Sequence, residues 1–220
     1  KTEQDLFNEM ALQLGLTKNG ENVYARHPLA FLVEAADDIC YNIIDLEDGC
    51  RLGLVSVTDT IDLMAGILKT DFNPEKANRI KSVDEKIGVL RAMAIGKLIN
   101  DAVDVFLQNE TEILSGSFDH ALTDLGLYKN ELKAIIDISI IKIYRARHVV
   151  EIEAAGFEVL PGLLEEFIKA AEHLVKKNQS SKYANLARLL PGETIAVIQA
   201  NPDSTYLHFR EIIDFVSGMT

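Results

Sequence analysis

At 220 residues the chain is long enough to bury a substantial hydrophobic core, as one large domain or two small ones. A composition of 48 % hydrophobic and 25 % charged residues is that of an ordinary globular protein, not of a disordered or fibrous one. The net charge of −12 argues against broad binding to nucleic acid or an anionic membrane through a basic surface. It leaves room for an anionic substrate held by a local cluster of cations or by a metal. The two cysteines, Cys40 and Cys50, are too few for a disulfide framework or a four-thiolate zinc site, so the cytoplasm is the expected compartment. No apolar run approaches the ~18 residues of a membrane span, and "KTEQDLFNEM" has neither the cationic start nor the apolar centre of a signal peptide. That first stretch lacks an initiator Met and leads straight into a helical pattern, as expected of the later part of a longer chain.

In chain order, Thr2 is placed to cap a first helix that runs to about Leu14 and closes at Gly15. "TKNGENVYARH" reads as a loop with an Asn-Gly turn. Pro28 suits the first turn of a second helix ending at Glu47 or Asp48, with Gly49 as the stop signal. Ser56 or Thr58 opens a third helix, and "TDFNPEKAN" reads as a turn region. Ser82 and Glu85 form a capping box for a long helix reaching about Asn109, followed by the polar patch "NETEILSGS". A further helix is predicted over Lys129 to Asp137. "ISIIKIYRARHVVEIEAAG" is ambiguous, because its β-branched density favours strand while "VVEIEAA" has helical character. Pro161 precedes a helix over "PGLLEEFIKAAEHLVKKN", and "SSKYANLARLL" and "STYLHFREIIDFVSG" supply two more. With no repeat, low-complexity tract or linker, the chain reads as one all-α, mainly helical domain over residues 1–220, with at most minor β structure.

The second helix carries an unusual charge pattern. Between Arg26 and Arg51 there is no Lys or Arg, yet six acids occur: Glu34, Asp37, Asp38, Asp45, Glu47 and Asp48. At ~100° per residue, Asp37, Asp48, Tyr41, Glu34, Asp45 and Asp38 fall within an arc of roughly 100°. Leu29, Leu32, Val33, Ala36, Ile39, Cys40, Ile43, Ile44 and Leu46 take the complementary side, which reads as core. An acidic face of this kind is either simply solvated or answered by an external cation. A solvated face needs no Tyr41 in its middle, and a divalent metal beside a polar substrate would relieve its repulsion.

"RHPLAFLVEAADDICYNIIDLEDG" resembles the helix of the dGTP triphosphohydrolases, in the HD-domain superfamily, that carries the last metal-ligating aspartate. "KTEQDLFNEMALQLGL", "LRAMAIGKLINDAVDVFLQNETEILSG", "VVEIEAAGFEVLPGLLEEF" and "REIIDFVSGMT" resemble other segments of that family in the same order. The resemblance implies a helical HD-domain-type fold and hydrolysis of dGTP, or of dNTPs generally, to deoxynucleoside and tripolyphosphate. It implies Mg²⁺ or Mn²⁺ as cofactor with Asp37 as a ligand, and Tyr41 and Asp45 as contacts to the nucleotide. Nucleotide effectors and a homo-oligomer, commonly a hexamer, are further implications.

The family's first metal-binding histidine and its His-Asp pair have no match here. None of the five histidines, His27, His120, His148, His173 and His208, is followed by Asp, and "FDH" at 118–120 has the reverse order. Those ligands, and with them the catalytic residues, are expected upstream of this segment; family members also continue beyond "SGMT". Arg26, Arg91, Arg145, Arg147 and Arg210 are candidates for triphosphate or inter-subunit contacts, Arg91 foremost because it interrupts the apolar run "VLRAMAIG". Gly88 to Lys97 has the wrong spacing for a phosphate loop, and no G-x-S-x-G or C-x-x-C occurs. The competing expectations are a non-catalytic nucleotide-binding or regulatory module on the same scaffold, and another HD-type phosphohydrolase.

Overall fold

The computed structural model describes residues 3–21, 23–176 and 181–219 and is predominantly helical. The chain forms two compact units, Lys1–Ala146 and Arg147–Thr220. No Pro- or Gly-rich linker marks the boundary. No helix among the described residues is long and apolar enough to cross a membrane.

The first unit opens with α1 (Gln4–Gln13) and a small antiparallel hairpin of β1 (Lys18–Gly20) and β2 (Val23–Tyr24), where the Asn-Gly stretch reads as loop. Gly15, at φ 66°, turns the chain out of α1, while Thr2, expected to cap that helix, lies outside the described residues. Next come α2 (Pro28–Arg51) and α3 (Val57–Leu68), then α4 (Pro74–Arg79) and α5 (Val83–Gln108). The unit closes with α6 (Glu110–Ser115), α7 (Leu122–Leu125), α8 (Lys129–Ser139) and a π-helical turn over Ile140–Tyr144.

Helix starts follow their sequence signals. Pro28 occupies the first turn of α2 while His27 Nδ1 accepts from the Leu29 amide. Ser56 accepts from Asp59 N at 3.0 Å and Ser82 from Glu85 N at 3.3 Å. The Asn-Pro stretch, expected as turn, is the short α4, because Asn73 caps it through Lys76 N and Pro74 suits its first position.

The core of this unit is the α2 stripe Phe31, Ala35, Ile39, Ile43 and Leu46, packed with Leu90, Ala94 and Leu98 of α5 and Met64, Ile67 and Leu68 of α3. Two expectations for α2 need correction. Gly49 does not stop the helix. It lies within it, buried, because an added Cβ would collide with the Ile143 side chain; Gly53, at φ 72°, makes the terminating turn instead. The apolar side is also only partly core: Leu29, Val33, Ala36, Cys40 and Ile44 are exposed.

Glu47 is the counterpart, a carboxylate 1 % exposed. It accepts from Arg91 of α5 at 2.6 Å and from Arg51 at 2.8 Å, so α2 and α5 are joined by charge as well as by packing. Asp101, also buried, accepts from the Leu127 amide, and the absence of a side chain at Gly126 lets its carboxylate approach.

The second unit comprises α9 (Arg147–Lys176), α10 (Ser181–Ala187), α11 (Gly192–Ala200) and α12 (Thr205–Ser217). The ambiguous Ile- and Val-rich stretch forms the π-helical turn and the first half of α9; no strand forms there. Pro161 sits inside α9 and does not precede a helix, so the chain upstream of it is helical as well. Its missing N–H frees the Phe157 carbonyl on a highly exposed stretch, open to solvent. Phe167, Leu190, Ile198, Ile212 and Val216 form the core, with Phe167 and Phe215 edge to face at 5.0 Å.

Removing the Arg91 guanidinium leaves Glu47 buried with half its compensation. Arg91→Ala is expected to destabilise the protein by about 1–3 kcal/mol, measured as a lower urea midpoint. A midpoint equal to wild type would show that Arg51 and water suffice.

Candidate functional site

The outward face of α2 presents Asp37, Tyr41 and Asp45 on successive turns, about 6 Å apart along the axis for each four-residue step. Asp37 and Tyr41 are exposed and Asp45 is half-buried. The Tyr144 hydroxyl donates to Asp45 Oδ2 at 2.5 Å, and the rings of Tyr144 and Tyr41 lie 6.3 Å apart at 34°. Burial raises the Tyr144 phenol pKa, and the bond to Asp45 raises it further, so the phenol remains a donor well into alkaline conditions. Tyr144 reaches this position because the preceding residue, Ile143, packs against the bare backbone of Gly49. A π-helical turn thus aims a side chain from distant sequence onto α2.

Sequence reasoning missed Tyr144. It lies in the stretch whose periodicity is ambiguous, and attention there falls on the neighbouring arginines. The available signal is an aromatic donor at the end of the apolar run "IIKIY", immediately before "RAR".

The other acids have local answers. Glu34 pairs with Arg26 at 2.6 Å, and Arg26 also lies over the Phe31 ring. Asp48 is 3.6 Å from Arg51, and Glu47 holds Arg51 and Arg91. Thr123 donates to Asp38 at 3.3 Å. Burial nevertheless raises the Asp38 pKa, against the Thr123 bond and with help from Glu34, Asp37 and Asp124. Asp38 belongs to a cleft of about 540 Å³ on the flank of the row, shared with Thr123, Asp124, Lys129 and Lys133. Of the six acids, only Asp37 has no hydrogen bond or ion pair among the described residues.

A metal cluster is not assembled within this segment: no group of three or more His, Cys, Asp or Glu side chains converges among the described residues. Asp37 fits Mg²⁺ or Mn²⁺ as a single hard oxygen donor that is exposed and not already engaged. Among the candidate cations, Arg91 is held by Glu47, Arg147 by Glu151 at 2.7 Å, and Arg210 lies 3.5 Å from Asp214. Arg145 is exposed beside Tyr144. His27 caps α2, His120 lies in a loop with its ring edge-on to Phe118, and His208 bonds the Asn201 carbonyl.

No family model matches the chain. A deoxyguanosinetriphosphate triphosphohydrolase-like protein of Synechocystis is 36 % identical over all of this chain and 48 % of its own length. A protein of the same description from Listeria monocytogenes is 29 % identical over 99 % of this chain and 50 % of its own. The deoxyguanosinetriphosphate triphosphohydrolase of Yersinia pestis is 26 % identical over the same shares. The chain spans about half the length of the curated relatives it matches. Similarity along nearly the whole chain, to several such proteins, supports its membership in the deoxyguanosinetriphosphate triphosphohydrolase family.

The Tyr144 arrangement has a consequence for pH. A phenol whose pKa is raised in the folded state above its ordinary value of 10.0 contributes stability that is intact below about pH 10 and is lost as the pH rises further. Between pH 9 and 11 the wild-type urea midpoint is therefore expected to fall more steeply than that of Tyr144→Phe. Parallel declines would show that Tyr144 does not hold its proton through Asp45.

Proposed function

We propose that this chain is the later half of a metal-dependent dNTP triphosphohydrolase of HD-domain type. It would act on dGTP or dNTPs generally and release a deoxynucleoside and tripolyphosphate. The observation that carries the reading is the outward row of α2: an unengaged Asp37, then Tyr41 and Asp45 one and two turns on, with Asp45 oriented by Tyr144.

In this reading Asp37 is the chain's ligand to Mg²⁺ or Mn²⁺. When bound, the metal supplies an activated water and neutralises charge on the phosphoryl oxygens. The other roles belong to the protein's side chains. Tyr41, exposed and tilted against Tyr144, offers a ring on which the deoxyribose packs with little room for a 2′-hydroxyl. Asp45 gives one carboxylate oxygen to Tyr144 and keeps the other to accept from the 3′-hydroxyl. Tyr144 fixes the carboxylate in that orientation, so no rotamer freedom is lost there when substrate binds. Arg91 serves the site indirectly through Glu47, which holds α2 against α5. The remaining metal ligands and the catalytic residues would come from the half of the protein that this chain does not include.

With Mg²⁺ or Mn²⁺, the complete protein is expected to convert dGTP into deoxyguanosine and tripolyphosphate. Asp37→Ala is expected to abolish turnover while leaving the circular dichroism native, since Asp37 is an exposed helix residue. Orthophosphate or pyrophosphate as product would indicate another phosphohydrolase. No turnover of any dNTP, with or without nucleotide activators, would point to a non-catalytic nucleotide-binding module. Tyr41→Ala is expected to weaken discrimination between deoxy- and ribonucleotides, and Asp45→Ala to lower kcat/KM by about tenfold or more, the order of a lost charged hydrogen bond. Wild-type kinetics in both variants would remove the two residues from the site.

A further inference from the structure

Two helices of the first unit are buried on one side and bare on the other. On α2 the bare stripe is Leu29, Val33, Ala36, Cys40 and Ile44, with Val33 69 % exposed. On α5 it is Val89, Ala92, Gly96, Ile99, Val103 and Leu107, with Leu107 59 % exposed. Both sets recur every three or four residues, the spacing of a helix face made for packing. From Gly88 to Leu107 the exposed side of α5 carries a single charge, Asp104. A solvated face would intersperse charges, and apolar surface of this extent marks an interaction site. Glu47, one turn beyond Ile44 but buried, ties α2 to α5 through Arg91.

We propose that the bare faces of α2 and α5 are docking surfaces for the rest of the polypeptide. The relatives aligned to this chain end to end are about twice its length, so a comparable amount of chain is available to cover them. Asp37 borders the α2 stripe between Ala36 and Cys40, so whatever packs there comes within reach of its carboxylate. This part of the argument rests on reading Asp37 as a metal ligand: a single carboxylate does not fill the shell of Mg²⁺ or Mn²⁺, and the docked segment would bring further ligands. A second copy is the poorer occupant. It would set one acid row against another in a protein of net charge −12.

Cys40, in the middle of the α2 stripe, is exposed in this chain and reports directly on the face. Protein made from the complete reading frame would be treated with a maleimide at low micromolar concentration. Mass spectrometry of its peptides would follow Cys40 separately from Cys50. Docking predicts that Cys40 reacts ~100-fold or more slowly in the native protein than in urea, as for a site opened only by local unfolding. That protection should be unchanged by tenfold dilution. Reaction at the unfolded rate would overturn the proposal, and so would protection that disappears on dilution, which belongs to a second copy. Product analysis with dGTP on the same preparation separates the two readings. Turnover with a freely reactive Cys40 would sink docking alone, and a protected Cys40 without turnover would sink the hydrolase reading alone.

Discussion

The buried carboxylate of Glu47 sets the frame in which the rest of the first unit is read. Placed in an apolar interior alone it would be strongly unfavourable. Here two guanidinium groups approach it, Arg51 from its own helix and Arg91 from α5, and both remain partly exposed. The gain in raw stability over an apolar pair is small for such an arrangement. Its effect is on register: α2 cannot slide or rotate against α5 without stranding a charge. The direction in which α2 presents Asp37, Tyr41 and Asp45 follows from that constraint.

With α2 fixed, the acid row sorts itself electrostatically. Glu34, Asp38, Asp45 and Asp48 each find a partner within reach: an arginine, a threonine hydroxyl, a tyrosine hydroxyl and another arginine. Asp37 alone has no hydrogen bond or ion pair among the described residues. An unanswered carboxylate on a row that is otherwise answered is what the proposed metal-ligand role of Asp37 requires, and only the three-dimensional arrangement singles it out.

Much of α2 was legible in sequence because its signals are local. The Pro28 start, the two-sided pattern and the Asp37–Tyr41–Asp45 spacing all depend on residues within a few turns of one another. What could not be read depends on distant chain. Gly49 looks like a terminator until Ile143 is found packed on it, and Tyr144 looks like part of an apolar run until its hydroxyl meets Asp45. Leu29, Val33 and Ile44 look like core because an apolar residue carries no label saying which surface covers it. Arg91 reads as a charge in need of a partner, and Glu47 is that partner. Pro161 reads as a helix start, yet it lies inside α9 on a stretch exposed enough for the helix to absorb the lost hydrogen bond.

The central claim is that the outward face of α2 lies against a metal and a nucleotide. The most direct measurement is anomalous diffraction at the manganese edge from crystals of the complete protein grown with Mn²⁺ and a non-hydrolysable dGTP analogue. The account predicts a peak about 2.0–2.6 Å from an Asp37 carboxylate oxygen, with the sugar of the analogue against Tyr41 and Asp45. Manganese bound away from α2, with Asp37 in solvent and the analogue elsewhere, would contradict it.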